Sequence, residues 1–123
     1  IAMNRKVLKT ILTKAGYNVI EASSGEEALR HLQLQSFSSV FMDVMMPDMD
    51  GLETVRRLRK GPGPNVSVNV IGVSASILEE DRVRCFESGM NEFIAKPIDQ
   101  ALLLAVLTRL LRESGTYSTI SST

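Results

Sequence analysis

The sequence predicts an α/β domain built on a doubly wound parallel sheet. Three observations carry that prediction. Segments of helical periodicity alternate with short strand-like runs along most of the chain. Two of those runs, SSVFMD and VNVIGV, are almost continuously apolar, as strands covered on both faces are. The length of 123 residues suits one domain. Strands separated by helices imply right-handed crossovers and a parallel sheet with helices on both sides.

The elements follow in order. Residues 4–16 place Val7, Leu8, Ile11 and Leu12 on one helical face and end at Gly16, a C-cap signal. YNVIEA (17–22) reads as a short strand. SSGEEALRHLQLQ opens a second helix, with Ser23 and Ser24 as N-cap candidates and Glu26 and Glu27 in its first turn. SSVFMD is a buried strand ending in Asp43, and VMMPDMDG is a loop. LETVRRLRK is a short amphipathic helix stopped by GPGPN. VNVIGV is a second buried strand. ILEEDRVRCFESG is a helix capped by Gly89, and NEFIA is a strand followed by Lys96 and Pro97. DQALLLAVLTRLLRE is a helix with Asp99 as its N-cap. The tail GTYSTISST reads as frayed. The boundaries are therefore a domain over 1–113 and a flexible tail over 114–123.

Composition narrows the function classes. Hydrophobic residues make up 44% and charged residues 23% of the chain, which excludes a disordered or fibrous protein. Lys+Arg and Asp+Glu both number 14. A zero formal balance gives no bulk attraction to nucleic acid or to an anionic membrane, so neither is expected as a direct partner. Cys85 is the single cysteine, which excludes an internal disulfide. No apolar run approaches the ~18 residues of a membrane span, and IAMNRKVL lacks the apolar stretch of a signal peptide. The expected location is cytoplasmic.

In folds of this class ligands sit at the carboxyl ends of the strands. Three side chains are expected there: Asp43, Ser74 and Lys96. A carboxylate oxygen is a nucleophile toward phosphorus and gives an acyl phosphate. A lysine supplies point charge for a phosphoryl group, and a hydroxyl holds its oxygens. Taken singly, each has an ordinary reading as turn former, loop hydroxyl or solvated lysine. Their order and spacing together make a phosphoacceptor constellation.

FMDVMMPDMDG, then VSAS, then FIAKPI, resembles the receiver domain of two-component response regulators, over Asn4 to about Arg112. The style of GMNEFIAKPI is similar to receivers attached to hybrid histidine kinases. The resemblance implies the flavodoxin-like strand order 2-1-3-4-5. It also implies that Asp43 is the phosphorylated aspartate and that the backbone carbonyl of Met45 ligates Mg²⁺. Pro47 and Gly51 would shape the loop after Asp43. Ser74 would bond the phosphoryl group beside the small Ala75. Lys96 would bind phosphate, with a cis bond to Pro97. Phe93 would be an aromatic switch that changes rotamer with Ser74, and with them the surface of the last strand and its flanking helices. The phosphoryl donor would be a phosphohistidine on a histidine kinase or a histidine phosphotransfer protein. Any activity of the domain itself would be limited to self-phosphorylation and autodephosphorylation.

The sequence departs from the family at its start. Receivers begin with an apolar strand ending in two acids that join the phosphoacceptor on Mg²⁺. Ile1 aligns just after that pair, and the first acid here is Glu21. The first, central strand is expected to be missing from the chain, and the Mg²⁺ site to be weakened or lost. Three arrangements stay open: an upstream strand in a longer parent, a strand contributed by another chain through dimerisation or swapping, and a degenerate receiver acting as a phosphorylation-independent interaction module. The tail TYSTIS is too polar for a central strand.

The remaining features have plain readings. Met42 is expected in the core, and Met45, Met46 and Met49 in a sheltered loop. His31 and the basic run Arg56, Arg57, Arg59 and Lys60 read as solvated helix positions. Cys85 reads as a buried helix residue. A flavin-binding electron carrier of related topology would want aromatics and a phosphate-cradling loop after its first strand.

Overall fold

The structure is a computed structural model in which residues 2–43, 51–74 and 79–114 are described. The elements are α1 (Ala2–Lys14), α2 (Gly25–Leu34), β1 (Ser39–Asp43), α3 (Gly51–Lys60), β2 (Asn69–Ser74), α4 (Glu79–Ser88), β3 (Glu92–Ala95) and α5 (Gln100–Ser114). The strands form one parallel sheet in the order β1-β2-β3. Val40 aligns with Val70, Gly72 with Phe93, and Ser74 with Ala95.

Local chemistry sets the helix ends. Gly16, at φ 100°, closes α1: its N–H donates to Thr13 C=O, and Tyr17 N–H donates to Leu12 C=O. This is the Schellman pattern, which needs a left-handed residue just past the helix. Gly89, at φ 115°, closes α4 in the same way through Phe86 and Cys85. Ser24 caps α2, its Oγ accepting from Glu27 N–H at 3.1 Å, while Glu27 accepts from Ser23 N–H and Oγ. Asp99 caps α5 by accepting from Leu102 N–H.

Alternation along the strands divides the core in two. Ile71 and Ile94 pack with Ile11, Leu12, Leu103 and Leu107 of α1 and α5. Val70 and Met42 face the other way, onto Leu32, Val55, Leu58, Cys85 and Met90 from the α2–α4 side. Helices thus cover both faces of the sheet, as the alternating pattern predicts. Met42 and Cys85 are buried as expected.

One predicted strand does not form. Residues 17–22 have no strand pairing, although Tyr17 and Val19 still pack on the α1–α5 core. A cavity of about 200 Å³ lies between residues 17–24 and β1, and every residue of β1 lines it. An extended segment becomes a strand only when a neighbour takes its backbone groups, and the cavity stands where that neighbour would be. The sheet therefore holds the 3-4-5 portion of the expected order. Two boundaries also move: α1 begins at Ala2, not Asn4, and Gly51 is the buried first residue of α3, not part of the preceding loop.

Two other readings change. Arg59 is not a solvated cation. Its guanidinium donates to Gly89 C=O at 3.0 and 2.8 Å, to Val66 C=O at 2.8 Å and to Asn91 Oδ1 at 2.9 Å. Burial lowers its pKa. Arg56 and Arg57 do lie exposed, paired with Glu53. His31 is half-buried and lines the cavity.

Candidate functional site

Three parallel strands deliver their carboxyl ends to one rim of the sheet. β1 ends in Asp43 and β2 in Ser74, and Lys96 follows β3 directly. Register does the positioning. Asp43 aligns with Val73, Ser74 with Ala95, and Lys96 N–H donates to Ser74 C=O at 2.8 Å.

Lys96 Nζ lies 3.1 Å from Asp43 Oδ2, and both side chains are 18% exposed. The pair is sheltered yet reachable. Solvent still reaches the carboxylate, while the ammonium is only partly screened by water. The Lys96–Pro97 peptide is cis. Ser74 is buried at 5% exposure. Phe93 is half-buried on β3, two residues before Ala95, and packs against the Met90–Cys85 side of the core. The structure thus brings Asp43, Ser74 and Lys96 to one rim, with Phe93 further down the adjoining strand. Met45, Pro47 and Ala75 lie outside the described residues, as does the tail from 115.

The cleft beside β1 reaches this rim, for Asp43 and Lys96 both line it, with Glu21 and His31. Sequence spacing gave no signal for the last two, because they lie in segments preceding β1 that only the fold brings alongside it.

The described donors do not by themselves suit Mg²⁺. The ion takes near-octahedral oxygen coordination, with one or two carboxylates and several waters. The rim offers the Asp43 carboxylate with an ammonium beside it. Among the described residues, no group of three or more His, Cys, Asp and Glu side chains could hold a metal.

Comparison with known proteins gives the family. A family profile described as the response regulator receiver domain matches residues 2–108, and the chain belongs to that family. The chain is 32% identical over 114 residues to hybrid signal transduction histidine kinase L of Dictyostelium discoideum, covering 87% of this chain and 7% of that protein. It is 36% identical over 106 residues to the sensor histidine kinase RcsC of Escherichia coli K12, covering 86% of this chain and 11% of that protein. The chain spans a small part of the length of these relatives. Among solved structures, it is similar to the receiver domain of the sensor histidine kinase PA1611 from Pseudomonas aeruginosa, at TM-score 0.84 and 30% identity over 91% of each chain. That structure holds a magnesium ion in its active-site cleft.

Proposed function

We propose that this receiver domain is a phosphoacceptor, with Asp43 as the residue modified. The observation that carries the reading is the Asp43–Lys96 pair at the strand ends, with Ser74 on the strand between them. An Asp43 carboxylate oxygen attacks the phosphorus of a phosphohistidine on a histidine kinase or phosphotransfer protein. A P–O bond forms, the P–N bond breaks, and the imidazole leaves. Lys96 turns from the carboxylate oxygen toward the new phosphoryl oxygens and offsets their charge. Ser74 donates its hydroxyl to one of them, and Phe93 responds on the same side of the sheet. Ala75 and the Met45 carbonyl would complete the phosphoryl and metal contacts, with Pro47 and Pro97 shaping the two loops. Mg²⁺ would be held at Asp43 only with further carboxylates added to those described.

Residues 1–113 are proposed as the receiver unit; the residues from 115 lie outside those described. The resemblance to hybrid kinases supports a cytoplasmic setting and a phosphotransfer partner. Among the described residues no helix is long and apolar enough to cross a membrane.

A second reading, an interaction module independent of phosphorylation, is favoured by the sparse metal donors. One experiment separates them. The folded protein is treated with a small phosphoryl donor, or with beryllofluoride, with and without Mg²⁺, and followed by intact mass and amide NMR. Phosphoacceptor function predicts one phosphoryl group on the wild type, none on Asp43→Asn, and shifted amides near Ser74 and Lys96. A folded wild type that takes up no phosphoryl group and shows no shift, under either condition, leaves the interaction module standing.

A further inference from the structure

Gly72 sits in the middle of β2, where a β-branched residue would be the ordinary choice. A Cβ built there meets Met90 Sδ at 2.6 Å, Met90 Cε at 3.6 Å and Phe93 Cδ2 at 3.6 Å. The first distance is shorter than any tolerable contact, and Met90 is 4% exposed with little room to retreat. The missing side chain is therefore space that the Met90 thioether occupies, with the Phe93 ring in ordinary contact at its edge.

Each neighbour is tied to a different part of the domain. Phe93 aligns with Gly72 across the β2–β3 ladder. Alternation places residue 72 on the same face of β2 as Ser74, two residues on. Met90 is the second residue past α4. Its N–H donates to Cys85 C=O in the motif that ends the helix, and its side chain packs in the same cluster as Cys85. A thioether against an aromatic ring is a soft, favourable contact that tolerates a change of ring position. The vacancy at 72 thus joins the hydroxyl-bearing end of β2, the ring of Phe93 and the end of α4.

We infer that Gly72 is the positioning residue for Phe93: its bare backbone is the seat on which the ring and Met90 pack, so the ring and the end of α4 move together. The inference rests on the phosphoacceptor reading only for its use in signalling. The seat itself is a property of the free protein. A side chain at 72 would displace the Met90 thioether and, through it, the ring packed in the same cluster.

The test is NMR on the 123-residue protein labelled at methionine methyls and phenylalanine rings. Wild type should show cross-relaxation between the Met90 methyl and the Phe93 ring, with a ring-current shift on that methyl. Gly72→Ala should lose both signals while other methionine methyls hold their positions. Adding Met90→Val to Gly72→Ala should make room and return the Phe93 ring resonances toward their wild-type positions. Met90→Ala alone, which opens space and clashes with nothing, should shift the Phe93 ring signals and serves if Gly72→Ala does not fold. Phe93 signals unchanged in folded Gly72→Ala, or in Met90→Ala, overturn the inference, as does a double variant whose ring stays displaced. A purely structural glycine would lower stability without moving the ring. In the phosphoryl arm, Gly72→Ala should weaken beryllofluoride binding by about fivefold or more, the lower end of ordinary coupling. Equal binding by the variant and a responsive wild type counts against the inference. A silent wild type with the ring effects intact supports the seat and counts against the phosphoacceptor reading alone.

Discussion

At the scale of single residues, Asp43 and Lys96 form a contact between residues 53 positions apart. Its chemistry makes separate demands on each partner. On the proposed phosphoacceptor reading, Asp43→Asn removes the anionic nucleophile and should abolish phosphoryl uptake by intact mass while the protein stays folded by circular dichroism. Lys96→Ala leaves the nucleophile but removes the counter-charge for the incoming group. Uptake should slow by about a hundredfold, the scale expected when one charge-stabilising donor is lost. Unchanged uptake in Lys96→Ala would place the phosphoryl group elsewhere. Asn65 has a different role. It is 2% exposed, and its amide accepts from Phe37 N–H at 2.9 Å and donates to the carbonyls of Leu32 and Gln35. Asn65→Ala leaves those backbone groups without their partner and should cost about 2–4 kcal/mol in urea unfolding, with the site's phosphoryl chemistry retained. Asp43, Ser74 and Lys96 were legible in the sequence because a polar side chain ending an apolar run stands out. Asn65, Arg59 and Gly72 were not, because their roles depend on partners that only the folded chain brings near.

At the scale of elements, helices were read better than strands because their signals are local. Ser24, Gly16, Gly89 and Asp99 each act through bonds within five residues, so a short window contains the reason for the boundary. The start of α2 gives a test. Ser24→Ala should cost about 1 kcal/mol of stability, as N-cap losses do. Glu27 adds a pH dependence. The Ser23 N–H and then the Ser23 hydroxyl, both donating to its carboxylate, hold its pKa below the usual glutamate value. A carboxylate with a depressed folded pKa contributes stability above its unfolded pKa and loses it as pH falls through the folded value. Amide protection factors at the start of α2, taken relative to the intrinsic exchange rate at each pH, should therefore fall on acidification below the ordinary glutamate range, and Glu27→Gln should flatten that part of the profile. A profile identical in the variant would assign the acid sensitivity to other carboxylates. Residues 17–22 show the limit of local reading. YNVIEA has strand composition, yet strand formation also requires an adjacent edge, and no pattern within six residues can report that.

At the scale of the whole molecule, the described sheet covers both of its faces but leaves one flank open. All of β1 and residues 17–24 face each other across about 200 Å³, with Leu8, Leu12 and Leu107 contributing to the walls. The alternation of elements made the α/β class and the parallel pairing legible, and the departure at the start of the chain made a gap in the sheet expected. Only the structure shows its consequence for the neighbouring segment. An exposed strand edge is a template for pairing, so the gap predicts the result of filling it. A variant carrying an added N-terminal apolar strand, ending in two acidic residues, should place that strand parallel to β1 with its acids at the Asp43 rim. Two large aliphatic side chains buried there are worth roughly 1.5–3 kcal/mol each, so denaturant stability should rise by at least about 3 kcal/mol. Residues 17–22 should gain strand chemical shifts and slow amide exchange, because they acquire the neighbour they lack. Mg²⁺, which has few carboxylates in the described site, should then bind and strengthen the beryllofluoride response. A control strand with both acids changed to asparagine should give the stability without the metal response. An added strand that leaves 17–22 in fast exchange would show that the cleft does not serve as a strand position, and the weak metal site would then have to be explained within the residues already described.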